Sequence, residues 1–302
     1  MNSGTIVVME IAICIALGLF GVCLGSFAAA TVWRLRARQL AYDKAHKEPY
    51  DKKEYTRLKK LLGKSVSKDR SRCLHCGYEL KWYDLLPVVS WLSLAGKCRN
   101  CKHPIGWFEL VSELAVGAFF IGSYLFWPGG VETVFDGALL GIWLMAGVVM
   151  AILFAYDYKW YLLPDTGVLV LTILGLASTI FSIVQADTPL QGILSAAGSV
   201  AILGGLYAFL YFFSKGAWVG FGDVKLGLAL GLLLADWRLA FVALFLANLV
   251  GCLIVVPMLI SKKLTRTSRV PFGPMLIAGA VLAWFLGPVI IEWYLPFVTI
   301  IV

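Results

Sequence analysis

Charge is scarce along this chain. Asp, Glu, Lys and Arg make up 15% of its 302 residues, while 60% are hydrophobic, against about 45–50% apolar in a soluble domain. That composition excludes a water-soluble globular fold and indicates a multi-pass membrane protein. One membrane face is also almost without basic residues. Of 26 Lys and Arg, 18 lie between Arg34 and Lys102, and Lys159, Lys215, Lys225, Lys262, Lys263, Arg266 and Arg269 fall in loops on the same side, leaving Arg238 opposite. By the positive-inside rule the rich face is cytoplasmic and both termini lie outside. The same clustering accounts for the net charge of +8 without nucleic acid as a partner, and anionic lipid headgroups suit it better. No small-residue cleavage site follows the first apolar run, which argues against a removed signal peptide. Inverted repeats and ionisable residues near mid-membrane are missing too. A proton-coupled transporter using buried carboxylates would show both. It stays as the alternative function, beside a zinc-binding scaffold without catalysis.

Apolar runs recur at membrane-helix spacing over residues 5–32, 110–126, 134–156, 167–184, 193–213, 224–235, 239–260 and 275–291. They predict an all-α fold, a polytopic membrane protein of about eight transmembrane helices with a small cytoplasmic zinc-binding module. The expected organisation is a first transmembrane helix over 1–33, a cytoplasmic loop over 34–107 and a seven-helix membrane domain over 108–302. Within the loop, 41–72 is a charged insertion of little hydrophobic periodicity, expected to be solvated and partly helical or mobile, and 73–101 carries the cysteines. The sixth span is short. From Gly222 to Ala235 it has 14 residues, about 21 Å at 1.5 Å per residue, against a hydrocarbon core of about 30 Å. If it reaches the far interface, Asp223 at its near end is drawn into a water-filled recess.

Four of the seven cysteines form Cys73-Leu74-His75-Cys76 and Cys98-Arg99-Asn100-Cys101, with 21 residues between the pairs. Cys14, Cys23 and Cys252 sit singly in apolar runs, as packed thiols do. Two C-x-x-C knuckles supply the four thiolates of a tetrahedral zinc site, and a reducing cytoplasmic face disfavours disulfides. Four thiolates close the metal's shell, so this Zn2+ is structural. His75 and His103 read as solvated neighbours.

Acids at the membrane edge are few, which makes each informative. Gly220-Phe221-Gly222-Asp223-Val224-Lys225 sets a carboxylate behind two glycines. Asp223 reads either as the N-cap of the next helix or as a functional acid. Asp157 ends the third span, where the helix macrodipole disfavours negative charge. Capping does not explain it, and neutralisation by Lys159 is the structural alternative. Asp165 reads as the N-cap of the fourth span, and Asp136 as an interfacial acid with a capping or snorkelling role. Asp157 and Asp223 fall on one membrane face at the ends of different helices. Two carboxylates sharing a proton can activate water for attack on an amide, although sequence alone leaves their pairing open.

These motifs combine with Gly25-Ser26-Phe27 and Arg34, Pro87-Val88-Val89-Ser90-Trp91-Leu92, Gly96-Lys97, Pro104-Ile105 and Glu113-Leu114. Leu162-Leu163-Pro164-Asp165 and Pro271-Phe272-Gly273-Pro274 complete the set. In kind and order they resemble the type IV prepilin peptidases, across the chain apart from 41–72. The resemblance implies a G-x-G-D intramembrane aspartyl protease of the bacterial inner membrane. Such enzymes remove the basic leader of type IV prepilins and type II secretion pseudopilins after a glycine at the cytoplasmic border. It implies Asp157 and Asp223 as the catalytic pair, Gly220, Gly222 and Lys225 as supporting residues, and the four cysteines as zinc ligands. Many members also methylate the new N-terminal amine with S-adenosylmethionine, and Glu113 matches a family acid nominated for that donor or acceptor site. There is no Gly-rich loop of the soluble methyltransferase kind, so methylation rests on the resemblance alone. The expected partners are prepilins or pseudopilins and membrane lipids, with the oligomeric state open. Glu109-Leu110 departs from the Tyr-Pro usual at the entry to the second helix.

Overall fold

The computed structural model describes residues 3–62, 70–265 and 270–299. Residues 63–69 of the expected insertion, and Arg266 and Arg269, lie outside the described residues. Seven helical stretches are long and apolar enough to cross a membrane. They are α1 (Ser3–Ala45), α4 (Phe108–Leu125), α5 (Val134–Trp160), α6 (Asp165–Gln185), the run of α7 (Pro189–Val200) with α8 (Leu206–Ser214), α10 (Trp237–Ile260) and α11 (Gly273–Thr299). The expected sixth span is α9 (Phe221–Leu234), at 14 residues too short for that group. Shorter helices are α2 (Lys52–Leu58) and α3 (Val89–Ser93). Among the described residues the only β pairing is two isolated bridges, Arg72 with Glu79 and Lys97 with Pro104.

The chain forms two compact units, 1–125 and 126–302. In the first, α1 packs along α4. Gly25 permits the approach, because a Cβ there would stand 2.6 Å from the Glu113 Cα. Small residues serve this purpose in membranes, where lipid is as apolar as the side chains and close packing must do the work.

Helix α1 does not stop at the expected boundary near residue 33. It continues to Ala45, and there Ala37 and Leu40 bury against Leu58 of α2, with Trp33, Tyr50, Tyr55, Leu61 and Leu74 around them. Residues 41–62 therefore include a helix, α2, packed against the end of α1. Asp51 caps α2 by accepting from the Lys53 and Glu54 N–H groups, and Arg36 donates to Glu54 at 2.7 and 2.9 Å. Burying a side chain such as Leu58 is worth about 1.5–3 kcal/mol in water. The reason is visible in the spacing: Trp33, Ala37 and Leu40 share one face of a helix.

In the second unit α9 is the central element, packed against α6, α7, α8, α10 and α11. Leu226, Ala229 and Leu230 are fully buried. Its last carbonyls run out of partners as the helix ends, the Gly231 carbonyl meeting the Ala235 N–H of the cap, and hydroxyls from neighbouring helices add donors there. Ser199 donates to Gly231, Thr179 to Leu232 and Ser178 to Leu233, at 2.7, 2.7 and 3.0 Å. Ala235 then turns the chain in a left-handed conformation, φ 52°, and Asp236 caps α10. A π-helical segment, Ala201–Gly205, joins α7 to α8. At the start of α5, Thr133 and Asp136 cap reciprocally, which assigns Asp136 its capping role.

Candidate functional site

In the first unit the four sulfurs of Cys73, Cys76, Cys98 and Cys101 all lie within 4.8 Å of one another. The two knuckles repeat one local fold. Gly77 donates to the Cys73 carbonyl and Lys102 to that of Cys98, while the Cys73 N–H returns to Tyr78 and the Cys98 N–H to His103. Gly77 and Lys102, each following a second cysteine, have φ of 79° and 56°. A tetrahedron of thiolates at about 2.3 Å from zinc has sulfurs about 3.8 Å apart, and Cys73 Sγ lies 3.9 Å from Cys101 Sγ. The group fits a metal ion. The Tyr78 N–H beside Cys76 lowers that thiol below its ordinary range, whereas burial raises Cys73. A cation resolves this conflict by favouring the thiolate at every position. His75 and His103 stack with centroids 4.1 Å apart, outside the sulfur cluster.

Glu113 on α4 is 6% exposed. Its carboxylate accepts from the distant Val88 N–H at 2.7 Å. Val88 has φ 60° and ψ −52°, with the Val89 N–H bonded back to the Pro87 carbonyl. This is a γ-turn, a strained form, and a β-branched residue there is an outlier. Glu113 pins it. Beside the turn is a cavity of about 750 Å³, lined among others by Trp33, Arg57, Trp91, Glu109 and Glu113.

In the second unit Asp157 is 5% exposed near the end of α5. Its Oδ2 accepts from the Gly273 N–H at 3.0 Å. Gly273 opens α11, so the positive end of one helix dipole faces the acid at the negative end of another. A Cβ on Gly273 would stand 2.6 Å from that Oδ2, and glycine is required by this approach. Lys159 sits over the Trp160 ring. Asp223 is the third residue of α9, not its cap. Its Oδ2 accepts from the Gly220 N–H at 3.3 Å, the return half of a capping box. Asp157 and Asp223 lie within electrostatic reach of each other.

The remaining expected residues surround these two. A Cβ on Gly222 would stand 3.2 Å from Leu163, so α9 begins close against the turn before α6. Lys225 pairs with Asp165 at 2.6 Å, tying α9 to α6. Asp165 is thereby corrected from N-cap to ion-pair partner, because Pro164 occupies the cap position. Two residues near the acids escaped the sequence reading. Gly273 lay within the quoted Pro-Phe-Gly-Pro motif without a role. Tyr207 lies inside an apolar run, and nothing in its sequence context marks it.

Two family models match the chain. That described as the bacterial peptidase A24 N-terminal domain covers residues 19–127, and the type IV leader peptidase family covers 143–256. Among curated proteins, a prepilin leader peptidase/N-methyltransferase of Stutzerimonas stutzeri is 31% identical over 75% of each chain. Its counterparts from Pseudomonas aeruginosa and Legionella pneumophila are 32% identical over 75% and 27% identical over 94% of each chain. No solved structure matches the chain.

Proposed function

Because the chain belongs to the type IV leader peptidase family, we propose that Asp157 and Asp223 are its catalytic pair. With them it cuts the leader from prepilins or pseudopilins after a glycine at the cytoplasmic border of the membrane. The observation that carries this reading is the placement of two membrane-edge acids, 66 positions apart in sequence, within electrostatic reach of each other. One carboxylate takes a proton from water as its oxygen attacks the scissile carbonyl. The other, protonated, gives its proton to the carbonyl oxygen. The tetrahedral adduct then collapses: the first acid passes the proton it took from water to the leaving amine as the C–N bond breaks, and the second takes back the proton from the re-forming carbonyl. Gly222 lets the start of α9 lie close to Leu163, Gly220 supplies the N–H that meets Asp223, and Lys225 holds the helix to α6 through Asp165.

The cysteine cluster suits Zn2+ as a structural ion held by Cys73, Cys76, Cys98 and Cys101. Its role is to join two knuckles in a module with few buried residues. The relatives' names also carry an N-methyltransferase activity, and we extend it to this chain with S-adenosylmethionine as donor. The cavity of about 750 Å³ beside Glu113 is roomy enough for a ligand of that class. Trp33 and Trp91 offer aromatic faces to a sulfonium cation, and Glu113 keeps the Val88 turn in shape beside them. When bound, the donor supplies an electrophilic methyl group.

The layout for this chemistry keeps 34–107 on the cytoplasmic side, with 108–302 as the membrane peptidase part. Both rest on the basic residues of one face. The test uses purified protein in detergent with a prepilin-like peptide, following leader release and labelled methyl transfer together. Asp157→Asn and Asp223→Asn each abolish leader release while a pre-cleaved peptide is still methylated. Wild-type cleavage by either variant would overturn the catalytic assignment.

A further inference from the structure

Tyr207 lies on α8, 4% exposed. Its ring packs on Phe272 with centroids 5.4 Å apart, and on Gly227, where a Cβ would stand 3.3 Å from Tyr207 Cδ2. Gly227 is one helical turn from Asp223, about 6 Å along α9. Phe272 immediately precedes Gly273, whose N–H holds Asp157. The ring is therefore wedged between the supports of the two acids.

Its hydroxyl is sealed from solvent and makes no hydrogen bond of good geometry among the described residues. The polar groups that act on it are the Asn248 side chain, as a weak hydrogen-bond partner, and the Asp223 carboxylate. A buried hydroxyl that has exchanged water for so weak a partner stabilises the fold little, so phenylalanine would serve packing nearly as well. A hydroxyl of this kind calls for a functional explanation. Asp223, for its part, is weakly held, since the 3.3 Å bond from Gly220 exceeds the usual 2.7–3.2 Å range.

We propose that Tyr207 is a positioning residue for Asp223, its hydroxyl donating to the Asp223 carboxylate once peptide and water occupy the site. The bond turns a loosely held carboxylate into one with a fixed face toward the water. The inference rests on the acid-pair reading. The ionisable groups around this hydrogen bond are Asp223 on α9 and, beyond it, Asp157 on α5. The Lys225 amine is engaged by Asp165, and Asn248 on α10 is neutral.

Tyr207→Phe removes one oxygen and keeps the ring. With full-length protein in detergent and a prepilin-like peptide, kcat should fall about 10- to 100-fold, the loss of a hydrogen bond to a charged group. KM should stay unchanged, and the thermal midpoint should be unchanged or higher. Asp157→Asn and Asp223→Asn are assayed alongside. Wild-type kcat in Tyr207→Phe, with both Asp variants inactive, overturns the role of Tyr207 and leaves the acid pair standing. Activity retained in either Asp variant overturns both. A fall in kcat that comes with a lower thermal midpoint assigns the effect to packing and also overturns the proposal.

Discussion

An acid at the C-terminal end of a membrane helix is doubly disfavoured, by desolvation and by the local dipole. Asp157 is tolerated because the first N–H of α11 points at it. Gly273→Ala tests that dependence. The new methyl would stand 2.6 Å from the carboxylate and must push it aside. Displacing a reacting group by about 1 Å costs up to about 100-fold in rate, so leader cleavage should fall about 10- to 100-fold while methylation of a pre-cleaved peptide continues. A shared-proton pair also fails when both acids are protonated and when neither is. Cleavage measured against pH should therefore trace a bell, and a monotonic profile with an uncharged peptide would contradict the pair. Glu113 allows a sharper separation. Glu113→Gln keeps an oxygen for the Val88 N–H and should preserve the turn, whereas Glu113→Ala releases it. Methyl transfer should survive the first better than the second, with leader cleavage as the internal control.

At the scale of the element, α9 illustrates how a short helix survives inside a membrane. Lipid offers no hydrogen bonds, so every backbone carbonyl must be satisfied by protein. The hydroxyls of Ser178, Thr179 and Ser199 do this at the far end. Thr179→Val leaves the Leu232 carbonyl without that donor and should cost about 1–3 kcal/mol, read as a lower thermal midpoint in detergent. Ser199→Ala, at a fully buried position, should cost less, because the Gly231 carbonyl keeps the Ala235 N–H. The brevity of α9 was legible in sequence, because the apolar run from Gly222 to Ala235 holds 14 residues. The hydroxyl cap was not, since serines and threonines in apolar runs do not reveal which carbonyl they face. The extension of α1 was missed for a related reason: Trp33, Ala37 and Leu40 are interleaved with Arg34, Arg36 and Arg38, and the charges masked the helical stripe.

At the scale of the molecule, the cysteine spacing and the apolar runs foretold most of the architecture, because thiolate geometry and membrane thickness admit few solutions. What remained hidden were long-range partners such as Gly273 for Asp157 and Val88 for Glu113, which depend on how separate elements fold together. The metal module makes the plainest whole-chain prediction. Four thiolates each take up a proton as pH falls, so the ion should be released in acid. Chelation at neutral pH should expose residues 73–101 to limited proteolysis, and metal analysis should find one ion per chain in the untreated protein. The hydroxyls at the far end of α9 have a mechanical consequence as well. Together with the Lys225–Asp165 pair at the near end, they clamp the helix to α6 at both ends, since Ser178 and Thr179 belong to α6 as well. The backbone that carries Asp223 is therefore braced on either side and set in place before a substrate arrives, leaving its side chain to adjust.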